Sequence, residues 1–186
     1  MLLAIAVLVA IPIGYFLDGA MHNYLYDPLK LPLLPCAAFA FEAYLAPLSE
    51  IIPVPASYWL GCAVCLEYTL LAVFLWLNRK SKGVTLLGIG MFANFAAIFD
   101  NGFRMPVSPI IHRFPGAANV AERIADGNVI GYTLVDWEAR LWFLGDTIPF
   151  LDGLASVGDI LMAIALIVII VSKMTTRPKR RKRRPA

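Results

Sequence analysis

Charge is what this 186-residue chain has least of. Charged residues make up 16% of it, against about a quarter in ordinary globular chains. Together with a 60% hydrophobic content, that balance argues against a soluble domain. Histidine is almost missing: His22 and His112 are the two present, and nothing in their spacing suggests a metal site. No metal and no cofactor is expected. Cysteine is equally sparse, with Cys36, Cys62 and Cys65 making three. Cys62-Ala63-Val64-Cys65 has the spacing of a redox or metal pair, but no His or further Cys stands near it. Small residues at helical spacing in an apolar run serve helix packing. A Cys36–Cys62 disulfide would need Cα atoms within about 7 Å, which their different depths in a membrane disfavour, so all three are read as packing residues. Neither Ser nor Cys stands beside a His in a nucleophile motif.

What the chain does have is apolar residues in blocks. Residues 2–17, 31–48, 57–77, 84–100 and 154–172 are each long, or nearly long enough, to cross a hydrocarbon core, which takes roughly 20 apolar residues, or about 17 at the short end. Such segments must be helical, because lipid offers nothing to an exposed backbone group. Pro12, Pro32 and Pro35 interrupt the first two near their ends. The first block lacks the charged start and the small-x-small cleavage site of a signal peptide, so it is read as an uncleaved helix. The expected fold class is an all-α integral membrane bundle of about five transmembrane helices, residues 1–172, with an extracytoplasmic cap of helices and loops at 101–153. A basic cytoplasmic tail, residues 173–186, follows.

With five spans the connecting segments alternate between two sides. One side collects Lys30, then Arg79, Lys80 and Lys82, then Lys173 and the run Arg177-Pro178-Lys179-Arg180-Arg181-Lys182-Arg183-Arg184. The other holds only Arg104, Arg113, Arg123 and Arg140. The positive-inside rule puts the richer side in the cytoplasm, which leaves the N-terminus outside, the C-terminus inside and the cap outside a cell membrane. The tail is read as a topology anchor touching membrane lipids with anionic headgroups, each basic residue gaining about 1 kcal/mol near such a surface. A nucleic-acid patch is the competing reading of a basic run, and no nucleic acid is expected.

Two acids fall inside spans. Glu42 lies six residues from the outer end of its block and Glu67 ten from its own, roughly a 6 Å difference in depth. They could form a proton or cation site, or each could stay protonated and bond a neighbouring helix. The fourth span carries Gly90, Asn94, Ala97 and Asn101 on one face, and the last carries Asp152, Ser156, Asp159 and Ala163. The two stripes are predicted to meet, with Arg104 neutralising Asp159 or Asp146 in a bidentate pair.

The outer segment is too long for a simple connection. Asn101-Gly102 reads as a turn and Met105-Pro106-Val107-Ser108-Pro109 as extended chain. Residues 117–125 and 133–144 read as short surface helices, Trp137 and Trp142 on the second being suited to the headgroup level. Three motifs frame the segment: Asn101-Gly102-x-Arg104-Met105-Pro106-Val107, Leu144-Gly145-Asp146-x-Ile148-Pro149 and Ser156-Val157-Gly158-Asp159-Ile160-Leu161. In this order they resemble a family of small bacterial integral membrane proteins classified only as a domain of unknown function. The resemblance covers about the second half of the chain and implies a multi-pass topology without assigning an activity. Phe103 stands where the family pattern leads one to expect another glycine, which predicts a less tight turn.

Two functions compete. In the first the protein is not an enzyme: an outward-facing polar pocket of Asp100, Asn101, Arg104, Asp146, Ser156 and Asp159 binds a ligand, an ion or a protein partner, a second copy included. Arg104 would hold an anionic group, and Glu42 and Glu67 would extend the pocket into a proton or cation path, as in a small transporter. In the second, Asp146 and Asp159 share a proton and activate water on a lipid or lipid-linked substrate, with His112 as a base. Two familiar patterns fail: Asp152-Gly153-Leu154-Ala155-Ser156 has only the opening of a lipid phosphotransferase signature, and Asp100-Asn101 does not fit a membrane aspartyl peptidase. A third account makes the same residues a structural network pinning the cap to the last two helices. No catalytic residue is assigned.

Overall fold

The computed structural model describes residues 1–40, 56–114, 117–134, 139–151 and 153–176. The apolar runs become helices: α1 (Leu2–Phe16, with Pro12 inside it), α2 (residues 33–40 of it described), α3 (Ala56–Asn78), α4 (Val84–Asp100) and α6 (Val157–Met174), and a short, more polar α5 (Ala118–Ala125) lies in the cap. Tyr58–Asn78 and Val157–Met174 are long and apolar enough to cross a membrane, while α1 and α4 are shorter apolar helices. The fold is mostly helical, as expected, but the cap departs from an all-α reading. It contains β1 (Met105–Val107) parallel to β2 (Tyr132–Leu134), and β3 (Ile148–Phe150) antiparallel to β4 (Gly153–Ala155).

Two of the block boundaries shift for a physical reason. Residues 153–155 belong to β4, not to the last helix, because Ser156 caps α6 and fixes its start at Val157. The segment 133–144 is not one surface helix. Its described ends are β2 and a 3-10 turn, Trp142–Leu144, since Met105–Val107 offers Tyr132–Leu134 a strand partner that an isolated helix would forgo. The helix expected at 117–125 is present as α5. It closes a small core of Val107, Ile111, Ala121 and Ile124 under the cap.

Small residues decide how the helices meet. In α1 the buried positions are Ala6, Ala10 and Gly14, four apart, so one face is smooth enough to lie against α6. Gly14 and Gly19 both sit against Met174, at the C-terminal end of α6, so α1 and α6 run parallel. Helix α4 runs antiparallel to α6: Gly83 lies beside Ala165 and Ile169, and Gly90 beside Gly158 and Met162. Along α3, Gly61 touches Phe103 and Leu75 touches Gly88, which makes α3 antiparallel to α4.

At the end of the bundle where α1, α3 and α6 finish, polar groups stitch the turns together. The α6 carbonyl of Met174, an orphan acceptor at a helix C-terminus, receives the Ala20 N–H at 2.9 Å and the Asn23 side-chain amide at 2.6 Å. Asn78 clamps Lys30 from both sides, accepting its N–H at 2.8 Å and donating to its carbonyl at 2.9 Å. Lys173 is 3% exposed and reaches Asp27 at 2.6 Å and Ser81 at 3.2 Å. Removing the Asp27 carboxylate would strand a buried ammonium, which is far costlier than losing a surface pair.

The cysteines do not pack as expected. Cys36, Cys62 and Cys65 are all exposed, because the buried face of α3 is Gly61, Ala63, Val64, Glu67, Leu71 and Phe74, and Cys62 and Cys65 fall between those positions.

The α4–α6 approach is testable. A Cβ added at Gly90 would lie 2.6 Å from the backbone oxygen of Gly158, whereas one at Gly88 would meet only Leu75 at 3.4 Å. Gly90→Ala is expected to destabilise by about 1–3 kcal/mol through overpacking. Gly88→Ala should be neutral, or stabilising by up to about 1 kcal/mol from helix propensity. Thermal unfolding of the two purified variants compares them.

Candidate functional site

The two predicted stripes meet. Gly158 has no side chain, so Asn94 of α4 can rest on the first turn of α6; any Cβ at that position would strike the Asn94 amide. The Asn94 amide donates to Asp159 Oδ1 at 2.9 Å, and its oxygen accepts from Ser156 Oγ at 2.8 Å. Ser156 is fully buried. Its hydroxyl also accepts the Asp159 N–H at 2.9 Å, and its own N–H donates to Asp159 Oδ2 at 3.2 Å. That is a capping box with Asp at the third position. It places a carboxylate at the positive end of the α6 dipole, with Oδ2 accepting within the box and Oδ1 accepting from Asn94 of α4.

A second carboxyl comes from the cap. Residues 105–107 run as a strand against which Asp146 forms a one-residue parallel bridge, with Asp146 N–H donating to the Pro106 carbonyl and Ser108 N–H to the Asp146 carbonyl, each at 2.9 Å. Gly145 is needed beside it, because any Cβ there would strike the Pro106 carbonyl oxygen. The residue is half-buried overall, yet its Oδ1 is sealed from solvent with no hydrogen-bond partner among the described residues. Burial first, and the nearby Asp159 charge second, raise its carboxyl from 3.8 to about 7.

Asp146, Asp159, Asn94 and Glu67 all line one cavity of about 450 Å³. The rest of its described wall is almost wholly apolar, from Tyr132, Phe103 and Met105 under the cap to Phe74, Leu166 and Ile169 toward the other end. Asp159 to Ile169 alone spans ten residues of α6, about 15 Å at the helical rise. The cavity is therefore a long greasy slot with acids along one end. Among its described lining residues none is basic.

The other predicted site residues sit elsewhere. Arg104 is exposed and makes no ion pair with Asp159 or Asp146; among the described residues the ion pairs are Arg140–Asp100 at 3.8 Å and Lys173–Asp27. The reason lies one residue earlier. Gly102 and Phe103 are both left-handed, with φ of +67° and +64°, which turns Phe103 inward over Gly61 and edge-on to Phe99 at 5.5 Å. Arg104 is thereby sent outward. The turn is not loosened by Phe103: that residue adopts the backbone a glycine would favour, at about 1–2 kcal/mol of strain, and its ring packing offsets the cost. Asp100 pairs with an Arg140 side chain that is 82% exposed, a contact of small worth. Asn101 donates to the carbonyls of Ala97 and Arg140 at 2.7 and 2.9 Å, closing the end of α4 rather than the cavity. His112 is exposed on a 3-10 turn, Pro109–Arg113. Glu67 is buried, and the expected Glu42–Glu67 pairing falls outside the described residues, as do Asp152 and residues 177–186. The tail expected from residue 173 starts later, because Lys173 and Met174 are buried in the last turn of α6.

Asn94 was legible only as part of a helix-packing stripe, and its role as the link between both α6 residues was missed. The signal was present: an amide four residues after Gly90, on the face that meets Ser156 and Asp159. Among the described residues no group of three or more His, Cys, Asp or Glu could hold a metal ion.

The Asp146 environment sets a pH dependence. The native state keeps its proton up to about pH 7, while the unfolded chain releases it near pH 3.8. Stability from this group is therefore full below about pH 4, falls as pH rises to about 7, and is level above that. Asp146→Asn should flatten that segment of the curve and exceed the wild type most at alkaline pH. Unfolding midpoints read across the range check this, and parallel curves for the two proteins would refute it.

Residues 28–171 match the model of a family of unknown function, DUF5317. The match contains all three motifs and extends well upstream of them, to the chain just before α2. No curated protein and no solved structure matches the chain. With the β1 strand, the Asp146 bridge and the α6 capping box all inside the matched region, the chain belongs to the DUF5317 family of unknown function.

Proposed function

We propose that this is a multi-pass membrane protein whose outward-facing cavity binds an amphiphile: an apolar body with a cationic or hydrogen-bond-donating head. The observation that carries the reading is the lining of the slot, apolar along its length and closed at the cap end by Asp146 and Asp159 with no described basic residue. An anionic headgroup would meet carboxyl groups there and no described cation, so the role expected for Arg104 as an anion clamp is replaced by one in which carboxylates receive the head. Binding sites of this size are commonly apolar with a few convergent polar groups.

Membrane residence is supported by two span-capable helices and by large apolar side chains facing outward, among them Leu8 at 68% and Phe92 at 70% exposure. Five passes are supported by the alternating directions of α1, α3, α4 and α6, with α2 between α1 and α3. Lys30, Arg79, Lys80, Lys82 and Lys173 gather at the end where α1, α3 and α6 finish. By the positive-inside rule that end is cytoplasmic, which places the cap, the N-terminus and the cavity mouth outside. An impermeant thiol reagent should therefore label a Val120→Cys variant in intact cells, and protection there would overturn the orientation.

Binding is tested with the purified protein, a long-chain alkylamine and the fatty acid of equal length. The amine is expected to bind and the acid not. Asp146→Asn should weaken the amine about tenfold, the size of one charge-assisted hydrogen bond, while Arg104→Ala should leave it unchanged. Equal affinity for amine and acid would sink the reading.

One observation favours a second reading. A carboxyl held near pH 7 beside another carboxylate is matched to proton transfer, as an enzyme acting on a lipid-linked substrate would need. Mass analysis of lipid recovered after incubation separates the two: cleaved lipid that depends on Asp146 selects the enzyme, and intact bound lipid selects the binder.

A further inference from the structure

On their outer faces α3 and α4 diverge, and a shallow groove of about 750 Å³ runs between them. Its floor is kept low by Ala72 and Gly88, and Phe92, Phe95 and Trp76 stand along its sides. From Cys65 to Leu77 it follows twelve residues of α3, about 18 Å at the helical rise. Half of a hydrocarbon core of about 30 Å is about 15 Å. The groove therefore has the length of one leaflet's acyl chain rather than that of a whole membrane-crossing helix.

Its two ends differ in charge. Toward Cys65 and Phe95 none of its described lining residues is basic. At the other end Trp76 is 67% exposed, and the Arg79 guanidinium stacks on its ring at 4.1 Å. Lys80 and Lys82 follow at once in the turn to α4, and all three cations are exposed. None of them is ion-paired among the described residues. A tryptophan ring with a stacked cation at the polar end of an apolar slot is an arrangement suited to the headgroup level.

We propose that this groove is a binding site for one anionic phospholipid of the cytoplasmic leaflet, its acyl chain lying over Ala72 and Gly88 and its phosphate held by Arg79, Lys80 and Lys82. The site lies on the outer face of α3 and α4, with Tyr68 and Met91 forming a wall shared with the interior cavity, and it is distinct from the basic run at 177–184. It rests on the chain spanning the bilayer, as proposed above; incorporation into lipid nanodiscs reports on that alone, whereas lipid selectivity reports on the groove.

The test uses the full-length protein in nanodiscs of phosphatidylcholine doped with phosphatidylglycerol, then native mass spectrometry to count the lipid retained after release. The wild type should hold one phosphatidylglycerol in preference to phosphatidylcholine. Changing Arg79, Lys80 and Lys82 to Gln should lower that preference about fivefold per charge removed. Gly88→Leu, which fills the floor, should abolish retention of either lipid with the thermal midpoint unchanged. Equal retention of the two lipids by the wild type would overturn the proposal. So would a preference that disappears when the basic residues of 177–184 are changed to Gln while the turn is left intact. A Cys65–Cys65 cross-link between copies in vesicles would likewise overturn it, by placing a second copy of this chain in the groove.

Discussion

The contact between α4 and α6 at Gly90, Asn94 and Gly158 is the constraint on which the rest of the molecule depends. Two glycines let the backbones approach until Asn94 lies on the first turn of α6, where it bonds both Ser156 and Asp159. Net hydrogen bonds are individually modest, about 0.5–1.5 kcal/mol each, so close packing carries as much of the contact as the amide does. What the amide adds is register. Sliding α4 by one residue would bury Asn94 against apolar wall and leave the Ser156 hydroxyl without its acceptor, a penalty set by desolvation rather than by bond strength. With the register held, α6 starts at Val157, β4 ends before it, and the cap is drawn over the cavity mouth.

The two ends of the bundle solve different problems. The basic end is stitched by fully satisfied groups: Met174 carbonyl with two donors, Asn78 with both faces of Lys30, Lys173 between Asp27 and Ser81. Such a network resists opening most at Lys173, because losing its partners there would strand a buried ammonium. The cap end is less settled. Asp146 is pinned through its backbone to Pro106 and Ser108, but one side-chain oxygen is buried without a partner among the described residues. Rigidity at one end and an unsatisfied carboxyl at the other is the distribution expected of a fold that holds a site at its mouth.

Much of the architecture was legible because long apolar helices write themselves into composition. The run from Val84 to Asp100 matched α4 at both ends, and Ser57–Leu77 fell within one residue of α3 on each side. The helical stripes on α4 and α6 were legible too, since small residues and amides four apart have one physical use between apolar helices. Of the cap, Met105–Val107 was legible as extended chain, but the strand pairings were not. Three-residue pairings such as Met105–Val107 with Tyr132–Leu134 carry no periodicity long enough to register, and they form only because the cap's own core brings distant segments together. Arg104 illustrates a different failure. Charge complementarity with Asp159 was sound chemistry, but a left-handed Phe103 aims the chain elsewhere, and the one trace of that handedness in the sequence was the glycine expected at this position from the family resemblance.

By itself, then, the sequence determined the helical blocks, the asymmetry of basic residues, the small-residue faces and membership of a motif-bearing family. These follow from local composition and from helical geometry, which act over a few turns. Only the tertiary structure decided which carboxylates share a cavity, that Asp146 rather than Arg104 stands beside Asp159, and that Asn94 joins them. Those outcomes depend on backbone turns at Gly102 and Phe103 and on glycine contacts between helices more than sixty residues apart. The free energy of such contacts exists only once both partners are in place.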